Sequence, residues 1–163
     1  MKLKLQDCAS IADIVSGLAI VVTLIFLIFG VRESTIITRA GAYDRNIDSL
    51  IDVKAMLAAD PQLAENYMAV DRGEWAELSP QEQFRIRVVF EMFFGVYEKT
   101  YFANKYGYIR ESEWGRFRRQ VCIHYGRVSR NSGMADAMRI VMTDDFFAYV
   151  TNTCNASGEI VTP

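Results

Sequence analysis

The longest apolar pattern in the chain covers residues 14–31, where no charged side chain occurs. At about 1.5 Å per residue, a helix of this length spans about 27 Å, close to the ~30 Å hydrocarbon core of a bilayer. Asp13 and Arg32 flank the stretch, and Thr23 is the one polar residue in its centre. The pattern predicts a transmembrane helix at residues 14–31, preceded by an N-terminal tail at residues 1–13.

Two other interpretations of this stretch are a buried helix of a soluble protein and a cleaved signal peptide. The first is disfavoured because the stretch has almost no polar face. For the second, Lys2 and Lys4 form a plausible basic start, but the apolar run is long for a signal peptide. It is followed by Arg32-Glu33-Ser34 and not by a small-residue cleavage site. We therefore predict an uncleaved anchor.

Small residues recur along the predicted anchor at steps of four, three, four and seven, a spacing that places them on one helix face: Ala12, Ser16, Ala19, Thr23 and Gly30. Transmembrane helices pack closely through such stripes. Small residues are also common in membrane helices in general, so the pattern has two readings. If the stripe is an interface, the anchor packs against its own copy or against another transmembrane protein.

After the anchor, apolar residues follow a helical period and never alternate as in a strand, which predicts an all-α protein. We expect a helical soluble domain at residues 32–154 and a flexible polar tail at residues 155–163. The anchor helix is expected to continue to residue 59. Within it, residues 36–57 carry a three-four apolar repeat that favours either packing on the chain's own domain or a dimeric coiled coil.

Helix start and stop signals divide the domain. Asp60-Pro61 opens a helix over residues 61–70, and Ser79-Pro80 with Glu82 forms a capping box that opens a second over residues 80–105. The middle of that second helix is apolar nearly all round, which predicts a buried central helix. Further helices are predicted over residues 111–128, 134–142 and 144–151, the last capped by Asp144.

Several of these motifs together resemble a group of small bacterial single-pass membrane proteins of uncharacterised function. The resemblance covers most of residues 10–150, and its motifs are Asp13-Ile14-Val15, Phe29-Gly30-Val31-Arg32-Glu33, Asp60-Pro61-Gln62-Leu63-Ala64, Leu78-Ser79-Pro80-Gln81-Glu82, Tyr97-Glu98-Lys99-Thr100-Tyr101 and Glu113-Trp114. It implies an anchor followed by a helical domain, and it implies no activity. Members usually carry an aromatic segment where this chain has Met134, Met138 and Ile140.

Charge and cysteine content bear on partners and compartment. The formal net charge is −2, so overall charge gives no support to nucleic-acid binding. The three cysteines, Cys8, Cys122 and Cys154, match no metal or redox spacing, and we expect small apolar fillers without a disulfide. Basic residues nearly balance on the two sides of the anchor. Free cysteines then favour a bacterial inner-membrane protein with a cytoplasmic domain.

Candidate chemistry is sparse. His124 is the only histidine, which excludes a two-histidine metal site, and we expect a partly buried helix residue there. No nucleotide-binding or nucleophile-elbow motif occurs, so no cofactor is predicted. Glu91 and Glu98 share a face of the central helix and could form a carboxylate site. More often such residues pair with arginines of a neighbouring helix, such as Arg118 or Arg119.

A set of arginines on the Trp-containing helix could contact lipid headgroups or an acidic partner, or could be a solvated face: Arg116, Arg119, Arg127 and Arg130. Together these features favour a non-catalytic accessory subunit or scaffold of a larger membrane complex. A homodimeric sensor that signals through residues 36–57 is the alternative. An enzyme with a carboxylate site at Glu91 and Glu98 is the third possibility.

Overall fold

The computed structural model describes residues 5–156, except for the side chains of residues 5–14, 36, 39 and 156. These residues form only helices, which confirms the all-α prediction: α1 (Leu5–Ala59), α2 (Pro61–Arg72), α3 (Pro80–Lys105), α4 (Glu111–Ser129), α5 (Met134–Val141) and α6 (Asp144–Ala156). A short 3-10 turn, Trp75–Glu77, lies between α2 and α3. Helix α1 begins within the segment predicted as a tail, and residues 157–163 of the predicted C-terminal tail lie outside the described residues.

The described chain divides into two compact units, with the boundary between Ala40 and Gly41. The first unit is a single helical segment that contains the apolar stretch. Its most apolar window has a mean hydropathy of 2.3, and 0% of that window is buried. Within the described residues, one helix is long enough and apolar enough to cross a membrane, and it is this one.

Local capping explains where the helices of the second unit begin. The carboxylate of Asp60 accepts a hydrogen bond from Leu63 N at 3.0 Å at the start of α2. The predicted capping box of α3 is confirmed, since Ser79 Oγ accepts from Glu82 N at 3.4 Å and Glu82 Oε2 accepts from Ser79 N at 2.9 Å. Helix α6 differs from the prediction, because Thr143 Oγ1 accepts from Phe146 N, whereas Asp144 is the first helical residue.

Helix α3 provides much of the core of the second unit through its buried residues Ile86, Val89, Phe90, Phe93, Phe94 and Tyr97. Helix α4 faces it with Trp114, Phe117, Val121 and Val128. Helix α3 is thus the buried central helix that the sequence predicts, but it is not enclosed on every side, because Met92 is 39% exposed and, nearer the start of the helix, Phe84 is 57% exposed. A small helical domain surrounds its central helix incompletely, so one side of α3 faces solvent.

The last part of α1 packs within its own chain. Leu50 and Val53 are buried there, and the ring of Tyr43 meets Phe117 edge to face at a centroid distance of 6.1 Å. Of the two readings of the apolar repeat at residues 36–57, the structure therefore supports self-packing. A dimeric coil through the same positions would have to unpack Leu50 from the domain.

The cysteine prediction is wrong. Cys122 on α4 and Cys154 on α6 are joined by a disulfide bond, with their Cα atoms 5.1 Å apart, and both residues are buried. That Cα separation lies in the ordinary range for disulfides. Sequence spacing hid the pair because 32 positions separate the two residues, and only the packing of α6 along α4 brings them together.

Candidate functional site

A buried polar cluster lies between α2, α3 and α4, with His124 at its centre. The imidazole is buried and contacts two tyrosines from different helices. Its Nε2 atom lies 3.0 Å from the hydroxyl of Tyr67, and its Nδ1 atom lies 3.2 Å from the hydroxyl of Tyr97. The backbone carbonyl of Gln120 lies 2.8 Å from Nδ1. The ring also lies 4.5 Å, centroid to centroid, from the ring of Phe93, and the two planes are tilted by 41°.

These contacts determine which ring nitrogen of His124 carries the proton. The carbonyl oxygen of Gln120 can only accept, so the short contact to Nδ1 requires an N–H at that atom. Nε2 is then the acceptor, and the Tyr67 hydroxyl donates to it. The acceptor nitrogen of the imidazole is thus occupied by a tyrosine proton.

Arg127 extends the cluster toward the surface. Its guanidinium donates to Asp71 through Nε at 2.7 Å and through Nη2 at 3.3 Å, a bidentate ion pair between α4 and α2. It also donates to the Tyr67 hydroxyl and lies 5.0 Å from the centre of the Tyr67 ring. Tyr67 therefore accepts from Arg127 while it donates to His124, and one continuous hydrogen-bond chain links Asp71 to Gln120.

Burial controls the protonation of this cluster. Desolvation lowers the pKa of His124 to about 4, and the nearby charges of Arg127 and Lys54 act in the same direction. Desolvation also raises the pKa of Tyr67 and of Tyr97. At neutral pH the histidine and both tyrosines are therefore uncharged, and Arg127 with Asp71 forms the only ionised pair of the chain just described.

One wall of an open pocket of about 460 Å³ is formed by this cluster. The pocket lies between the end of α1, α2, α3 and α4. Five of its lining residues are apolar, namely Leu57, Ala58, Ala64, Phe93 and Ile123, and five are polar, namely Lys54, Tyr67, Gln120, His124 and Arg127. Its volume falls in the range of roughly 300–1,000 Å³ typical of small-molecule sites. A neighbouring cavity beyond Arg127 is lined by Asp71, Arg72, Gly73, Cys122, Ile123, Gly126, Arg127 and Arg130.

The predicted partners of Glu91 and Glu98 are wrong. Glu91 forms an ion pair with Arg87 one turn away on α3, at 3.4 Å. Glu98 accepts from the backbone N–H of Thr143 at 2.8 Å and from the Thr143 hydroxyl, and so anchors the start of α6. Arg118 instead forms an ion pair with Glu111 at 3.7 Å. Both carboxylates have structural partners, and neither of them lines the pocket beside His124.

The four predicted contact arginines do not form one surface. Arg127 is committed to Asp71 and Tyr67, and Arg130 lies 3.5 Å from the same carboxylate. Arg116 donates to the Tyr43 hydroxyl at 3.0 Å. Arg119 is exposed to solvent. Half of the predicted set thus serves the contact between α2 and α4.

The predicted helix–helix stripe lies in the first unit. Ser16, Ala19, Thr23 and Gly30 are all exposed on α1, and an added Cβ at Gly30 would meet no atom within 4 Å. Thr23 Oγ1 donates to the Ala19 carbonyl at 2.8 Å, so its hydroxyl is satisfied within the helix. Ala12 belongs to α1, but its side chain lies outside the described part of the chain.

The sequence did contain a signal for the His124 cluster. Gln120, His124 and Arg127 are spaced by four and three on α4, and Tyr67 and Asp71 by four on α2, so each set shares one helix face. Because Arg127 was predicted to face solvent, the face of α4 that carries it was not paired with the face of α2 that carries Tyr67 and Asp71. Among the described residues no group of three or more histidine, cysteine or acidic side chains could hold a metal ion.

No protein-family model, no curated protein and no solved structure matches this chain. The resemblance to small bacterial membrane proteins therefore stays a prediction that rests on the motifs quoted for it. The function has to be argued from the residues described above.

Proposed function

We propose that this chain is a non-catalytic, membrane-anchored accessory subunit or scaffold of a larger membrane complex. The observation that carries the proposal is the apolar part of α1, whose most apolar window has a mean hydropathy of 2.3 and no buried residues. An apolar surface of this length needs a cover of lipid or of another apolar helix. If this stretch were a core helix of a soluble protein, its apolar side chains would be buried against the rest of the fold.

The small-residue stripe supports a helix as part of that cover. In a helix, Ser16, Ala19, Thr23 and Gly30 fall on one face, and the absence of long side chains there allows a second backbone to approach closely. Lipid would cover the remaining faces. This arrangement favours a partner transmembrane helix, from another protein or from a second copy.

The non-catalytic part of the proposal is supported by how the candidate groups are used. Glu98 holds the start of α6, and Glu91 pairs with Arg87. The acceptor nitrogen of His124 is occupied by the Tyr67 hydroxyl. Each of these three candidate groups therefore has a structural partner.

The disulfide changes the proposed orientation. A cytoplasmic domain was expected because the cysteines were taken to be free, and the bond between Cys122 and Cys154 removes that reason. Disulfides persist in oxidising compartments and are rare in the cytoplasm. We therefore place the helical domain on the non-cytoplasmic side. The nearly balanced basic residues on the two sides of the anchor do not decide between the two orientations.

The experiment for the partner is a mild-detergent pull-down of the full-length tagged protein, followed by mass spectrometry. We expect a membrane protein in stoichiometric amount, and we expect its loss in the stripe variants Ala19→Leu and Gly30→Leu. The matched controls, Val21→Phe and Ile28→Phe, add bulk on the opposite helix face and should retain it. A monomer without any co-purifying protein would contradict the proposal.

The experiment for the orientation measures thiols in intact cells. Free thiols are blocked by acid quenching and alkylation, the protein is then reduced, and newly exposed thiols are tagged with a maleimide polymer. We expect two tags after reduction, and none in a Cys122→Ser, Cys154→Ser variant that keeps Cys8. If the wild-type protein gains no tag after reduction, the cytoplasmic orientation is restored.

A homodimeric sensor that couples through residues 36–57 is less well supported. Leu50 and Val53, at the centre of that repeat, are buried against the chain's own domain. A second copy could still pair through the small-residue stripe of the anchor.

A further inference from the structure

The pocket beside His124 carries an inference that does not depend on the membrane anchor. All of its lining residues, from Lys54 to Arg127, belong to the second compact unit. Its apolar part is formed by aliphatic side chains and by Phe93. A ligand for this part must be largely apolar, because polar ligand atoms would lose hydration without gaining partners there.

The charged lining of the pocket is entirely basic. Lys54 and Arg127 are the ionisable cations, and no carboxylate is among the lining residues. Arg127 is already paired with Asp71 and donates to Tyr67, and His124 is neutral at pH 7 because it is buried. Lys54 therefore supplies the available charge, since within the described chain it makes no ion pair.

The lining of the pocket also contains a hydrogen-bond donor, Gln120. The side-chain oxygen of Gln120 is 3.5 Å from the Tyr97 hydroxyl, and its amide nitrogen makes no hydrogen bond to any described residue. An ammonium group and an amide N–H together match the acceptor oxygens of a carboxylate.

We infer that this pocket binds a small amphipathic carboxylate, with the apolar body against Phe93 and Ile123 and the carboxylate at Lys54. The pocket volume of about 460 Å³ suits a molecule of the size of an aryl-alkyl acid or a medium-length fatty acid. The two share one chemistry, an apolar body with a single terminal negative charge.

The test uses full-length protein in lipid nanodiscs and three fluorinated probes with the same trifluoromethylphenyl body. The probes are an arylacetate, the corresponding alcohol and the corresponding amine, and binding is followed by ¹⁹F line broadening with empty nanodiscs as the blank. We expect saturable binding, with the acid bound about two- to fivefold more tightly than the alcohol, the size of one solvent-exposed ion pair. The amine should bind most weakly. Decanoate in competition with the bound arylacetate then compares the fatty-acid form with the aryl form.

Three variants locate the site. Lys54→Met should remove the preference for the acid over the alcohol, whereas Lys99→Met, an exposed lysine of α3 outside the pocket, should leave it unchanged. Ala58→Trp should block all three probes, and it changes an exposed position at the pocket wall, so the core is left intact. Thermal unfolding of each variant checks the fold.

Specific outcomes overturn the inference. Equal affinity for acid and alcohol in the wild-type protein would remove the role of Lys54. Unchanged binding in the Ala58→Trp variant would show that the probes bind outside this pocket. An absence of saturable binding of any probe would exclude the pocket as a ligand site, and none of these results would bear on the membrane partner.

Discussion

The hydroxyl of Tyr67 lies 3.0 Å from Nε2 of His124 and at the same time accepts a hydrogen bond from Arg127. One phenol thereby separates a buried neutral imidazole from an ion pair at the domain surface. The tyrosine proton is fixed on the histidine side, and the charge stays on the arginine side. Together with the Arg127–Asp71 ion pair, this group joins α2 to α4.

Replacing Tyr67 by phenylalanine tests that dependence. We expect the free energy of unfolding to fall by about 1–3 kcal/mol, because His124 loses its donor in a buried site. Tyr125→Phe is the control, since that half-buried tyrosine makes no hydroxyl hydrogen bond within the described chain. Urea unfolding of the detergent-solubilised protein, followed by tryptophan fluorescence, measures both. Equal losses in the two variants would contradict the proposed role.

The buried histidine predicts acid sensitivity. Its pKa is about 4 in the folded protein and 6.5 in the unfolded chain, so the unfolded state binds more protons between these values. The free energy of unfolding should therefore decrease as the pH falls from 6.5 to 4, by roughly 3 kcal/mol in total. Below pH 4, His124 should add no further pH dependence to the free energy of unfolding.

His124→Gln is the matched variant for this pH series. It should be less stable than the wild type at pH 7 and should show little slope between pH 6.5 and pH 4.5. Asp60 and Glu82 have pKa values lowered from 3.8 and 4.5 by hydrogen bonds, so they contribute mainly below this range. A variant that keeps the full wild-type slope would rule out His124 as its source.

Because of the disulfide, replacing either cysteine by serine should cause a large loss of stability. Cys154→Ser should lower the free energy of unfolding by about 3–4 kcal/mol, the chain-entropy value for a loop closed across 32 positions. Cys122→Ser should cost a similar amount, and the double variant little more than either. Cys8→Ser is the control and should leave the urea midpoint unchanged. Additive losses in the double variant would argue against the bond.

Glu98 and Glu91 form a natural pair for comparison because they lie two turns apart on α3. Glu98→Gln should lower stability by about 1–2 kcal/mol, since the charged carboxylate accepts two hydrogen bonds from Thr143 at the start of α6. Glu91→Gln should cost less than about 0.5 kcal/mol, as expected for an exposed pair with Arg87. The opposite order would require another role for Glu91.

Two arginines of α4 give a further contrast. Arg127→Met should destabilise the domain by roughly 1–3 kcal/mol, because Asp71 and Tyr67 lose their donor. Arg119→Met changes an exposed side chain and should stay within about 0.5 kcal/mol of the wild type. Thermal unfolding of both variants at neutral pH provides the measurement.

Local signals in the sequence were sufficient for most of the fold. The Ser79–Glu82 capping box and the Asp60-Pro61 start act within one helical turn, so each can be read without knowledge of tertiary contacts. The start of α6 at Asp144 was predicted, but its cap is Thr143 and not Asp144, and Thr143 also donates to Glu98, 45 positions away. No local pattern contains that contact.

The candidate site was harder to predict, because its members belong to different helices. Packing of α2 against α4 turns Arg127 inward toward Asp71, although the helix period alone had placed it on the solvent side. The same limitation applies to Cys122 and Cys154, whose pairing depends on α4 and α6 lying side by side. Sequence spacing reports helix faces, and tertiary packing decides which faces meet.

The bond between Cys122 and Cys154 also encloses α5, where Ile140 is 83% exposed. A protease that cleaves one peptide bond within that loop would nick the chain without releasing α6. The protein would then run at full length on a non-reducing gel and as two fragments after reduction. In a compartment rich in proteases, the C-terminal helix would therefore outlast damage to the loop that precedes it.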